Sequence, residues 1–339
     1  YKTVLTHGFL LDEQGKAMSK SMGNVIPPEK LIKQFGADIL RMWVSSEDYR
    51  NDLKIGYDMM KQLADSYRKI RNTLKYLIGN LSDFNPSENA VSYADLSDID
   101  KWVLNKLYVL DKEVIAAYES YEFHQVYRKI LNFCAVELSS SYFDMSKDLL
   151  YTESKNSKKR RANQTALYQV QCSLVKLIAP ILAFTSEEVW KFTKNDDSIH
   201  AQKYHVLDEA FNNADIERKM DSLVNVKKDL LKSLEGMRQE KVIGTSVEAS
   251  VRIFSEDETV RKLLSESPED TRRFLQVSKV VIADHAESNM VKFDTTSIYA
   301  EKASGKKCIR CWNYFDQLGS HADHPELCAR CTDAVLSIL

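Results

Sequence analysis

Gly15-Lys16-Ala17-Met18-Ser19-Lys20-Ser21-Met22-Gly23-Asn24 separates two different periodicities in the chain. Before it, Val4 to Leu11 reads as a strand. After it, Pro27-Pro28 leads into a helical pattern from Glu29, with Leu31, Ile32 and Phe35 at helical spacing. Gly36 stops that helix, and Ala37 to Val44 starts another. The stretch is short and polar and carries a glycine towards each end, where backbone angles that other residues avoid are open. Its lysines and serines offer ammonium charge and hydroxyl donors. Such groups suit a polyphosphate whose leaving group gathers charge. The plainer reading of a Gly/Ser/Lys loop is a solvated turn.

Working outward, the period settles near 3.6 from Asp58. Leu63, Tyr67, Ile70, Leu74, Leu77, Ile78 and Leu81 form one apolar stripe. A break follows at Gly79-Asn80 and a loop from Asp83 to Ser92 containing Pro86. A second helix is predicted from Asp98 to Ser120, a third from Phe123 to Asp144, and a fourth from Arg161 to Leu177, ended by Pro180. Thr185 with Glu188 has capping-box spacing for a short helix through Val189 and Trp190. Four amphipathic helices with short connections read as an antiparallel bundle.

Asn195 to Asn213 is polar and irregular, as a linker would be. Asp215 to Lys241 is helical again. At Val247, Ala249, Val251 and Ile253 the period becomes two, marking a strand. Short helices over Glu256–Ser265 and Thr271–Gln276 and strands over Val280–Ala283 and Met290–Phe293 complete a small α/β region.

The chain has 339 residues, enough for two or three domains. Its net charge of −2 gives no global basic field, so a nucleic-acid partner would need local patches. No run of 18 apolar residues exists, so no membrane span is predicted, and no signal peptide is visible. Because Tyr1 opens directly into a strand pattern, the chain is read as the later part of a larger protein.

Four of the six cysteines form two pairs, Cys308-Ile309-Arg310-Cys311 and Cys328-Ala329-Arg330-Cys331, sixteen residues apart. This matches the four-thiolate zinc template, whose metal supplies folding energy that so short a segment cannot find in a core. Redox-active dithiols are the alternative. His321 and His324 lie between the knuckles and are taken as surface residues; Cys134 and Cys172 are taken as core. Such cysteine use fits a reducing cytoplasm.

Several residues have the chemistry to meet RNA. Trp312 and Arg310 flank the first knuckle, and planar groups of this kind stack unpaired bases for ~1–3 kcal/mol each. Tyr314 and Phe315 follow, with Phe315 read as a lid packed over the metal site. Lys155, Lys158, Lys159, Arg160 and Arg161 form a basic turn that either contacts phosphate or is simply solvated. Arg68 and Arg71 share a helix face and reach either RNA or acids between domains. His7, alone before Gly8-Phe9, supports no acid–base role.

Met18-Ser19-Lys20-Ser21, with Thr6-His7-Gly8-Phe9 before it and Gly36-Ala37-Asp38-Ile39-Leu40-Arg41-Met42-Trp43 after it, resembles the KMSKS region of class I aminoacyl-tRNA synthetases. Within that class the chain looks like the bacterial-type isoleucyl-tRNA synthetases, from Tyr1 to the last cysteines. The family pattern opens with a lysine where this chain has Ala17, Lys16 standing one place earlier.

The resemblance implies a mainly α fold in four parts. Residues 1–45 would be the end of a Rossmann-like catalytic domain, 46–200 an anticodon-binding helical bundle, 201–300 an α/β junction domain, and 301–339 a zinc-knuckle module. It implies isoleucine–tRNA ligation, with Lys20 clamping the ATP phosphates and Met18, Ser19 and Ser21 beside it. ATP with magnesium, isoleucine and tRNA would be partners of the parent protein. One zinc per chain would sit on Cys308, Cys311, Cys328 and Cys331. Arg68, Arg71, Lys158, Arg160, Arg310 and Trp312 would be candidates for tRNA contact. A cytoplasmic monomer is expected, and this piece alone would be inactive, lacking the family's HIGH half-site and editing domain. Two alternatives are a stand-alone tRNA-binding zinc module and the same part of a valine, leucine or methionine enzyme.

Overall fold

A computed structural model describes residues 1–193, 197–204 and 206–337. The elements run β1 (Leu10–Leu11), α1 (Pro28–Phe35), α2 (Ala37–Ser46), β2 (Leu53–Lys54), α3 (Tyr57–Asn80), α4 (Pro86–Asn89), α5 (Asp98–Glu119) and α6 (Phe123–Asn132). A π-helical stretch, Phe133–Tyr142, leads to α7 (Phe143–Thr152), α8 (Lys158–Ile178) and α9 (Ala183–Lys191). Then follow α10 (Ala214–Gln239), β3 (Ala249–Phe254), α11 (Glu258–Glu266), α12 (Pro268–Leu275), β4 (Lys279–Ile282), β5 (Val291–Lys292), β6 (Ser297–Lys302), β7 (Lys306–Lys307), β8 (Tyr314–Phe315) and α13 (Ala329–Leu336). The fold is mainly helical, with small sheets. Among the described residues no helix is long and apolar enough to cross a membrane.

The chain divides into two compact units. The first comprises Tyr1–Glu88, Val103–Ser141 and Thr165–Asn212. Its core is helical: Leu63, Ile70, Leu74 and Leu77 of α3 are buried, as are Leu107 and Val114 of α5, Val126 and Ile130 of α6, and Leu167, Val170 and Leu174 of α8. These are the stripes that the 3.6 period predicts, since apolar positions three and four apart share one helix face.

The strand expected over Val4–Leu11 is only Leu10–Leu11, paired in parallel with Leu53–Lys54; Val4, Leu5 and Phe9 are exposed. The third helix also departs from expectation, passing through the π stretch and on to Thr152. Ser139 and Ser140 donate their hydroxyls to the carbonyls of Cys134 and Ala135, five residues back, and Thr73 of α3 donates to the same Cys134 carbonyl. The wide turn thereby gains side-chain hydrogen bonds that a regular helix would not present. Burial pushes the Cys134 thiol up to about 12, so it is an inert core residue.

The capping-box reading at Thr185–Glu188 is replaced by a longer-range solution. The buried Asp38 carboxylate of α2 accepts the N–H groups of Phe184 (3.2 Å) and Thr185 (2.7 Å) and the Thr185 hydroxyl (2.6 Å), capping α9 from another helix. Arg41, one turn along α2, donates to the carbonyls of Pro180 and Ile181, and Tyr67 of α3 meets the Thr185 hydroxyl at 2.9 Å. The linker expected over Asn195–Asn213 carries two short 3₁₀ turns, at Ile199–Ala201 and Glu209–Phe211; Asn195, Asp196 and His205 lie outside the described residues.

The second unit comprises Asn89–Trp102, Tyr142–Gln164 and Asn213–Leu339. Its four-stranded sheet has the order β4-β3-β6-β5, with β3 parallel to β4 and antiparallel to β6. Ala249, Val251 and Ile253 of β3 are buried, as their alternation predicts. Strand β6, which the sequence pattern did not reveal, pairs with β3 over six residues. Buried Asp229 of α10 accepts hydrogen bonds from the Thr295 amide and from the Thr295 and Thr296 hydroxyls, fixing the turn that leads into β6.

Candidate functional site

The lysine loop of the first unit is organised by two side chains that sequence reading did not single out, Asp12 and Asn24. The Asp12 carboxylate accepts the N–H groups of Gln14 (3.0 Å) and Lys16 (2.8 Å) and the Asn24 amide (2.8 Å). Asn24 in turn accepts the Ser19 N–H at 2.9 Å and donates to the Ala17 carbonyl at 3.2 Å. The Asn24 amide, then the Lys16 backbone N–H, hold the Asp12 carboxyl below the usual carboxylate range. The only local signal was an acid at the start of the Asp12–Gly15 turn, a position that favours Asp.

Gly15 (φ 80°) and Gly23 (φ 68°) take left-handed backbone angles at the two ends, where a Cβ would be strained. Ser19 and Ser21 lie with their hydroxyls 3.1 Å apart, and the Ser19 hydroxyl accepts the Met22 N–H. Lys20, in the turn between them, is exposed and makes no ion pair among the described residues. The base of the loop is therefore tied while its lysine is left available. Ala17 forms an isolated bridge with Leu11. Met18 is half-buried.

In the second unit, the Sγ atoms of Cys308, Cys311, Cys328 and Cys331 all lie within 4.8 Å of one another. The Cys311–Cys328 separation is 3.8 Å, the edge expected of a tetrahedron with ~2.3 Å zinc–sulfur bonds. Cys308 and Cys311 sit in the turn of the β7–β8 hairpin, closed by hydrogen bonds between Cys308 and Asn313 and between Trp312 and Cys308. Gly305 (φ 92°) permits the close hairpin approach, since a Cβ there would lie 2.3 Å from the Phe315 oxygen.

Cys328 occupies the N-cap position of α13 and Cys331 lies in its first turn, where helix N–H groups favour thiolate. The Cys328 N–H also points at the Cys308 sulfur, 3.4 Å away. Hydrogen bonds from Cys328 and Cys331 pull Cys311 down, and the same Cys311 contact pushes Cys328 up to about 11 and raises Cys331 as well. Four sulfurs this close can all ionise only with a cation among them. Cys308, Leu327, Cys328 and Cys331 form the module's small core, with Phe315, Leu318 and Val335 against it, so Phe315 does pack as a lid. His321 and His324 stand outside the sulfur cluster.

The middle of each knuckle carries an arginine, and both reach the C-terminal end of α7. Arg310 donates to the carbonyls of Thr152 and Tyr151; Arg330 makes a two-pronged contact with Asp148, at 2.6 and 2.8 Å. The last carbonyls of a helix are unsatisfied and carry partial negative charge, so guanidinium groups belong there. Burial alone would raise the Asp148 carboxyl, but the Arg330 hydrogen bonds and charge hold it below its ordinary value.

Trp312, by contrast, is 60% exposed on a left-handed backbone (φ 64°), with the Lys307 ammonium 5.7 Å from its ring centre. The basic turn is largely consumed by intramolecular partners, distant in sequence for its lysines and near for its arginines. Lys158 pairs with Asp95 at 3.0 Å and Lys159 with Asp270 at 3.5 Å. Arg160 donates to the Leu150 and Lys155 carbonyls, and buried Arg161 to Gln164 and Asn156. In the first unit Arg68 pairs with Asp65 on its own helix face, and Arg71 is exposed.

Three family models match in order along the chain. They are tRNA synthetases class I (I, L, M and V) over residues 1–56, the anticodon-binding domain of tRNA ligase over 100–253, and the zinc finger found in FPG and IleRS over 305–334. The fold is shared, at a TM-score of 0.50 and 16% identity, with a LeuRS from Agrobacterium radiobacter K84 solved in a ternary complex with tRNA and LeuAMS. That match covers 85% of this chain and 30% of the other. Lysine loop, anticodon-binding domain and four-cysteine finger together define a segment of a class I aminoacyl-tRNA synthetase.

Within the class the chain belongs to the isoleucine–tRNA ligase family. It is 42% identical over 337 residues to the enzyme of Brachyspira hyodysenteriae and 43% identical over 343 residues to that of Geobacillus kaustophilus. Each alignment takes in 99% of this chain, which spans 36–37% of the length of those relatives.

Proposed function

We propose that this chain is the part of an isoleucine–tRNA ligase that supplies the mobile lysine loop and holds the tRNA. The parent reaction has two steps. Isoleucine and ATP give isoleucyl-adenylate and pyrophosphate, and the acyl group then moves to the 3′ end of tRNA. The observation carrying this reading is the co-occurrence, on one chain aligned nearly end to end with such ligases, of a free lysine on a tied loop and a buried four-thiol finger.

Lys20 acts as the charge clamp on the ATP phosphates. Its ammonium is already free of carboxylates, so no ion pair has to break before it meets the negative charge that builds on pyrophosphate. Ser19 and Ser21 supply hydroxyls to the same phosphates, and Met18 holds the loop's inner edge. Magnesium accompanies ATP. The Asp12–Asn24 linkage keeps the loop's base in place while the tip moves between glycines.

One zinc binds the four sulfurs and supplies folding energy for residues 305–337. Trp312 and Lys307 present a ring face and a charge to an unpaired base and its phosphate, with exposed Arg71 adding a phosphate contact. The ligase works as a monomer in the cytoplasm, and this chain alone makes no adenylate.

The deciding experiment is binding of this chain to purified tRNAs at two salt concentrations. Preference for the isoleucine acceptor, weakening steeply with salt, supports the reading; equal binding to all tRNAs overturns its specificity. Pyrophosphate exchange by the chain alone would overturn its dependence on a larger parent.

A further inference from the structure

A line of hydrogen bonds runs from α12 to the first knuckle through two buried side chains, Arg272 and Asn313, neither of which is a sulfur ligand. Asn313 follows the knuckle and is 4% exposed. Its Nδ2 donates to the Cys311 carbonyl at 3.1 Å, and its own carbonyl accepts the Cys308 N–H at 2.9 Å. One residue thus ties the backbone at both cysteines of the knuckle. The turn between them passes through Trp312 at φ 64°, a left-handed angle that an L side chain disfavours. Hydrogen bonds across the turn offset that cost.

Arg272 in turn fixes the Asn313 amide. Its Nη1 donates to Asn313 Oδ1 at 2.7 Å and to the Val277 carbonyl at 3.2 Å. Its Nε and Nη2 make a two-pronged contact with Glu269, at 2.9 and 2.7 Å. A guanidinium only donates and a carbonyl only accepts, so a single orientation of the Asn313 amide serves both ends. Arg272 lies outside residues 305–334, the span matched by the zinc-finger model.

These bonds bear on the metal. A four-thiol module of this size folds as its metal binds, so a bond that only the folded knuckle makes adds to metal affinity. Groups that hold ligating residues in place change that affinity even though they never touch the ion.

We infer that Arg272 and Asn313 are positioning residues for the thiol centre. Arg272 orients Asn313, Asn313 sets the first knuckle, and the two in series determine how tightly zinc is held. The inference rests on the reading of the four cysteines as a zinc site.

The test is competition for zinc between the whole chain and a chromophoric chelator. Asn313→Ala and Arg272→Met should each weaken zinc binding by about 10–100-fold. Because they act in series, the losses should not multiply, and the double variant should match the weaker single one within about twofold. Arg272→Lys still offers Asn313 a donor and should recover part of the loss. Asn313→Asp keeps the acceptor for Arg272 but has no donor for the Cys311 carbonyl, and should fail to restore binding. Slow amide exchange at buried Val251 and Ile253 of β3 checks that each variant is folded. Zinc affinity of Asn313→Ala within about twofold of wild type, or losses that multiply in the double variant, overturns the inference and leaves the zinc site standing. A wild-type chain that takes up no zinc overturns the zinc reading itself.

Discussion

The lysine loop and the thiol module solve opposite problems. The loop has one anchor, the Asp12–Asn24 pair, and leaves Lys20 in solvent. The module buries Cys308, Cys328 and Cys331 and is gripped from both knuckles by arginines seated on the end of α7. On the proposed function, Lys20 meets charge developing on a leaving group and gains from freedom between glycines. A site that replaces a missing core gains from being closed. Each region therefore places its hydrogen bonds where its chemistry needs order.

The sharpest way to break this contrast is at the metal. Cys308→Ser, or a strong chelator, should unfold residues 305–337, since structural zinc contributes on the order of 10 kcal/mol to such modules. Hydrogen exchange should show that loss with the first unit's amides unchanged, and metal analysis should fall from one zinc per chain. Exchange that stays slow throughout would mean the module folds on its protein contacts alone.

Next comes the loop. In a full-length parent enzyme, Lys20→Ala should lower the adenylation rate by about 10²–10³-fold, as removal of one aligned electrostatic donor does. Stability and isoleucine affinity should stay the same. An unchanged rate removes Lys20 from catalysis.

The arginine clamp follows. Arg330→Ala leaves Asp148 without its two-pronged partner at a partly exposed site, and should cost about 1–3 kcal/mol of stability in thermal unfolding. Lysine at the same position should restore only part of it, because it lacks the forked geometry.

The smallest effects sharpen the picture at the loop's base. Asn24→Ala should speed amide exchange at Ser19 about fivefold, the equivalent of one hydrogen bond of ~1 kcal/mol, without unfolding the unit. The Asp12 carboxyl titrates below its unfolded value, so the order it supports is complete above the ordinary carboxylate pKa of ~3.9 and is lost as pH falls through the lower folded value. The Asn24 side-chain amide signal followed against pH reads that loss directly. A midpoint at or above the ordinary value would mean that Asn24 does not support the charged form.

The amino-acid sequence alone determined whatever rests on periodicity or fixed spacing: the stripe along α3, the alternation in β3, the paired knuckles and the lysine loop. In each, the residues that act together lie within a few positions of one another, or the geometry of one element brings them together. Tertiary structure alone decided the rest. It took the cap of α9 from Asp38 of another helix, gave the basic turn Asp95 and Asp270 as partners, and set the knuckle arginines on α7. It also paired β6 with β3. The physical reason is common to all four. A carboxylate, a guanidinium or a strand edge has many acceptable partners along a chain, and only the packing of distant segments decides which of them comes within hydrogen-bond reach.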